Sequence, residues 1–75
     1  MSLVEGNKGE EYTVRSIQLE TAVKRRLQML GLTDGSKVKI INRKRSGSMI
    51  VGIRGTRFAI GRRFAAGILV GEGSK

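Results

Sequence analysis

Between Lys24 and Ile41 the hydrophobic repeat of the chain changes from that of a helix to that of a strand across a single glycine. Leu19, Val23, Leu27 and Leu30 recur at i, i+4, i+8 and i+11, which gathers them into one apolar stripe on a basic helix over about residues 20 to 30. Gly31 stands where a helix end needs a left-handed residue, so that Leu32 folds back onto Leu27. Asp34-Gly35 then favours a turn, after which Val38 and Ile40 alternate with Lys37, Lys39 and Ile41 as in a strand with one buried face. One helix therefore feeds one sheet. Leu27, Leu30, Gly31, Leu32 and Gly35 are the structural residues of the junction, with the side chain of Leu30 expected in the core.

The same alternation marks the other strands. Tyr12, Val14 and Ser16 alternate with Thr13, Arg15 and Ile17 in a first strand, and Met49, Val51 and Ile53 share a face of a third. Arg54-Gly55 makes a short turn into a fourth strand, Thr56 to Ile60, in which Phe58 and Ile60 point inward. A helical turn around residues 61 to 67 leads to a last strand, Ile68 to Val70. Residues 1–10 read as a flexible lead-in, 11–70 as a single domain and 71–75 as a flexible tail. About five short strands, no proline and one helix after the first strand predict a mainly β fold, a strongly bent sheet or barrel. Eleven glycines help such a sheet turn its corners.

Several function classes are excluded by what the chain lacks. It has no histidine and no cysteine, which removes the commonest general base, the commonest metal ligands and any disulfide framework. Glu5, Glu10, Glu11, Glu20, Asp34 and Glu72 are scattered, and the adjacent pair Glu10-Glu11 would point to opposite faces of a strand. No glycine-rich phosphate-loop signature occurs. An enzyme, a resident metal and a cofactor are therefore not expected. No apolar run reaches the length of a membrane span, and the first residues lack the pattern of a signal peptide.

Fifteen Lys and Arg against six Asp and Glu leave a formal charge of +9. Such an excess suits an acidic protein, an anionic lipid surface or nucleic acid. Tyr12, Phe58 and Phe64 are the only aromatic residues, a poor platform for stacking bases, so nucleic acid ranks below the other two. The charge is concentrated in Lys24-Arg25-Arg26, Arg43-Lys44-Arg45 and Arg62-Arg63. Strand alternation turns Ile41 and Ile50 outward unless the helix covers them. Ile41, Ile50, Arg43, Lys44, Arg45, Arg62 and Arg63 form the candidate partner-binding set.

The series Val14, Ile17, Arg26-Leu27, Leu30-Gly31-Leu32-x-x-Gly35, Val38, Val51, Ile53, Gly55, Ala59-Ile60, Ala66, Ile68 and Val70 resembles the ferrous iron transport protein A (FeoA) domain family. The likeness covers about residues 10 to 70, and the Arg-Leu-x-x-Leu-Gly-Leu-x-x-Gly block is its most specific part. It implies an SH3-like barrel, similar also to the C-terminal module of iron-dependent repressors. The implied function is that of a non-catalytic cytoplasmic accessory of ferrous iron uptake. Such a module binds and modulates the membrane ferrous iron permease with its GTPase domain, and iron is handled by that partner. A position at the inner face of the plasma membrane, against anionic lipid, fits the same resemblance. The alternatives are a basic nucleic-acid-binding barrel and a stand-alone regulatory module related to metal-dependent repressors. No feature of the sequence sets an oligomeric state.

Overall fold

Alternating burial runs through the strands of the computed structural model, which describes residues 1–71. The strands are β1 (Glu11–Ile17), β2 (Lys37–Arg43), β3 (Met49–Ile53), β4 (Thr56–Ile60) and β5 (Ile68–Gly71), with α1 (Thr21–Met29) after β1 and a short α2 (Arg62–Ala66) before β5. They form one sheet in the order β4-β3-β2-β1-β5, each neighbouring pair antiparallel. Tyr12, Val14, Val38, Ile40, Met49, Val51, Ile53, Ile60, Ile68 and Val70 supply the buried inner face, against which Phe58 packs from β4. This is the mainly β fold expected, with the helix inserted where the sequence placed it. Gly71 closes β5, and the remainder of the expected tail lies outside the described residues.

Two bulges bend the sheet and shift the phase of the alternation. In β1 the register with β5 slips between Val14 and Ser16, so Ile17 rather than Ser16 joins Tyr12 and Val14 in the core. In β2 the register with β3 slips between Ile40 and Asn42. Ile41 is thereby the extra residue, and it is half-buried on the outer face.

The end of α1 is the Schellman motif read from the sequence. The Leu32 amide donates to the Leu27 carbonyl at 2.9 Å and the Gly31 amide to the Gln28 carbonyl at 3.0 Å, with Gly31 at φ +103°. Leu32 is fully buried and Leu27 packs against the core from above. Leu30 departs from expectation. As the C-cap residue it is 43% exposed, because the tightening last turn rotates it away from the sheet, and no residue of α1 is fully buried.

Residues 1–10, expected as a flexible lead-in, are instead built into the fold. Leu3, in a 3-10 turn over Leu3–Glu5, is 0% exposed and belongs to the core. The Val70 amide donates to the Met1 carbonyl at 2.8 Å and Ser2 bridges Leu69, so the chain start lines the outer edge of β5. Gly6 crosses Tyr12 and Ile40 so closely that a Cβ would collide with Ile40 Cδ1 and lie 2.8 Å from Tyr12 Cε2. The Asn7 amide donates to Tyr12 Oη at 2.9 Å. Arg43 Nη1 donates to the Gly6 carbonyl at 2.6 Å and Nη2 to the Val4 carbonyl at 2.9 Å. Ser2 donates through its amide to the Glu5 carboxylate at 2.7 Å and through its hydroxyl at 3.3 Å. Those two bonds, the backbone one first, hold the Glu5 carboxyl below its ordinary pKa.

Three outcomes follow for this segment. Gly6→Ala is expected to cost about 1–3 kcal/mol by overpacking, read as a lower urea midpoint. Arg43→Ala leaves two carbonyls without their charged donor and is expected to cost about 1–3 kcal/mol, with faster hydrogen exchange at the Gly6 amide. Folding lowers the Glu5 pKa, so its contribution is complete above the ordinary value of 4.5 and is lost as pH falls through the lowered one. Glu5→Gln is therefore expected to flatten that acid portion of a stability–pH curve.

Candidate functional site

Because α1 lies over the end of the sheet without sealing it, an apolar groove remains between α1, β4 and α2. Val23, Leu27 and Leu30 form one wall, and Ala59, Ile60 and Phe64 form the other, around about 350 Å³. Phe64 is 41% exposed and Met29, beside Leu30, is 87% exposed. Leu30 and Phe64 line the groove from opposite sides, while Met29 lies outside the lining. Arg26 is the one charged residue of the lining, so the groove is apolar with a cationic lip.

The basic runs have separate fates. Arg43, one of the candidate partner-binding residues, donates its guanidinium to the carbonyls of Val4 and Gly6 as a structural clasp while the residue stays exposed. Lys44 accepts the Gly47 amide at 2.9 Å through its carbonyl in the β2–β3 loop and, with Arg45, keeps its side chain exposed. Arg62 lies across Gly47, where a Cβ would be 2.9 Å from its own Cβ, so the loop and the start of α2 adjoin. Arg62 and Arg63 lead directly to Phe64 of the groove. Ile50 pairs with Ala59 of the groove wall, whereas Ile41 faces a different depression, lined by Lys37, Lys39, Arg54 and Arg57.

Leu30 and Phe64 were missed as surface residues, and the four cations of the depression were missed altogether. The helical period shows which side of α1 is apolar, but the width of the gap to β4 is a tertiary matter. The four cations are single residues, Lys37, Lys39 and Arg57 on strands and Arg54 in the β3–β4 turn, and only the tertiary fold groups them. Among the described residues, no group of three or more His, Cys, Asp or Glu comes together. No described helix is long and apolar enough to cross a membrane.

A strongly bent antiparallel sheet with a helix after its first strand, carrying an uncovered groove, defines an SH3-like module. The FeoA domain family model matches residues 1–72, and the chain belongs to the FeoA family, whose role is that of an accessory of ferrous iron transport. A curated relative, "Putative Fe(2+) transport protein A" of Methanocaldococcus jannaschii, is 39% identical over 62 residues, 83% of this chain and 74% of the relative. The FeoA protein of Chlorobium tepidum, known from a solution structure, is 36% identical at a TM-score of 0.90, covering 96% of this chain and 70% of that one. Stenotrophomonas maltophilia FeoA complexed with zinc, described as a prokaryotic SH3 domain protein, is 29% identical at a TM-score of 0.83, covering 95% and 89%. The manganese regulator SloR shares the fold at 12% identity and a TM-score of 0.81, over 96% of this chain and 34% of the regulator. That likeness is one of fold.

The groove residues and the core residues are separable by stability. Leu30→Gln and Phe64→Gln are each expected to cost no more than about 1 kcal/mol in urea unfolding. Leu32→Ala, by contrast, opens a cavity and is expected to cost about 2–5 kcal/mol.

Proposed function

We propose that this protein is a non-catalytic, cytoplasmic docking module that binds the GTPase domain of the membrane ferrous iron permease and modulates it. The observation that carries the reading is the uncovered groove at Leu30, Ala59 and Phe64 in a chain of the FeoA family. An apolar segment of the partner seated there would bury the exposed two-fifths of Leu30 and Phe64, worth about 0.6–1.2 kcal/mol each. Arg26, Lys44, Arg45, Arg62 and Arg63 flank or approach that face and would steer an acidic partner surface toward it. The same cations are available to anionic lipid at the inner face of the membrane. Ile50, beside Ala59, extends the apolar contact. Iron itself would pass through the permease and not through this chain.

A nucleic-acid-binding barrel draws only on the net charge of +9. Tyr12 is buried with its hydroxyl engaged, Phe58 packs on the core and Phe64 lines the groove, which leaves no aromatic row for bases.

The test is capture of the host permease, or its isolated GTPase domain, by the purified protein. Binding is expected for the parent chain, and a loss of about tenfold or more for Leu30→Gln combined with Phe64→Gln, given the burial lost. Retention of RNA in place of the permease, or unchanged capture by the double variant, would sink the reading.

A further inference from the structure

Lys37, Lys39, Arg54 and Arg57 surround one concavity of about 610 Å³ on the outer face of β2, β3 and β4. The register explains how they meet. Lys39 pairs with Gly52 and Gly52 with Arg57, so two cations flank a residue without a side chain in one row of the sheet. Gly52 is the floor, and Ile41 folds over it as an apolar wall, with Cδ1 3.1 Å from where a Cβ would stand. Lys37 shares the face of Lys39 two residues away. Arg54 comes in from the β3–β4 turn, its Cδ 3.5 Å from the place of a Gly31 Cβ.

Two observations set this surface apart from ordinary solvating charge. The lining gathers four cations against one carboxylate, Glu11, which stands opposite Lys39 in the β1–β2 register, so the concave wall keeps a clear excess of positive charge. Arg54 also sits at φ +52° beside Gly55 at φ +82°. Asn or Gly is the favoured residue at that position of a two-residue hairpin turn. Turn stability alone would not select arginine there, whereas a site that needs a guanidinium at the rim would.

We propose that the concavity binds a compact phosphate-bearing anion with two or more negative charges, such as a di- or triphosphate group. Arg54 and Arg57 would supply planar donor forks to its oxygens, with Lys37 and Lys39 as point charges. Cations on several sides of a hollow match a compact anion in solution, while a membrane surface would call for cations in a plane. The site stands on residues other than those of the groove, and its success or failure is independent of permease docking.

The experiment is isothermal titration calorimetry of the intact protein with inorganic pyrophosphate at moderate ionic strength. One saturable site is expected, weakened about tenfold or more by Arg54→Gly combined with Arg57→Gln. Glycine suits the positive φ at position 54, so this variant is expected to keep the parental thermal transition. Lys8→Gln combined with Arg25→Gln removes the same charge at exposed positions outside the lining and is expected to change affinity by no more than about twofold. Absence of saturable binding, equal weakening by both double variants, or binding only of phosphatidylglycerol vesicles or of polyglutamate would overturn the proposal.

Discussion

The interior of this domain is closed by one side chain from the very start of the chain. Leu3 fills the space that five short strands cannot fill by themselves, and the chain around it is held by contacts that serve that placement. Gly6 provides the close crossing over Tyr12 and Ile40, Arg43 ties the carbonyls of Val4 and Gly6, and Met1 and Ser2 line the edge of β5. A small domain buries a modest fraction of its surface, so the loss of one fully buried leucine weighs heavily on the total. Covering the edge of β5 also removes a row of unpaired backbone groups from one side of the sheet.

Much of this architecture was legible in the sequence because it rests on local rules. Period-two alternation located every strand, and the Gly31-Leu32 pair located the end of α1 down to its hydrogen bonds. The N-terminal segment escaped because Leu3 and Val4 stand alone among polar residues and glycines, with no period to betray them. Their partners are nearly the whole chain away. Leu30 escaped for a related reason: an apolar stripe shows where a helix would prefer to be covered and does not show what covers it. The bulge in β1 likewise moved Ile17 into the core at the expense of Ser16, a phase change that no pattern within β1 announces.

The surface repeats the same lesson in terms of charge. Contiguous runs such as Arg43-Lys44-Arg45 attract attention, yet their members diverge: one becomes a clasp and the others face water from a loop. Isolated cations at positions 37, 39, 54 and 57 converge because strand pairing sets Lys39 and Arg57 in one row across Gly52, with Lys37 beside Lys39 on the same face and Arg54 at the adjoining turn. In a sheet protein, binding surfaces are assembled across the register, so sequence proximity is a weak guide to them. The two faces that result differ in chemistry, one apolar with a cationic lip and the other cationic with an apolar wall.

The pairing of Met1 with Val70 also constrains the order in which the chain can assemble. The hairpins β2–β3 and β3–β4 join neighbours in sequence and need only short loops to close. The contact between the first residue and β5 spans a separation of 69 residues, and it has no surface to dock on until β1 and β5 have paired. Long-range closures of this kind come late and set the pace of folding for small β domains. The strand edge guarded by residues 1 and 2 is thus the contact that contributes most, pair for pair, to the contact order of the fold, in contrast to the local pairings of the β2–β3–β4 meander.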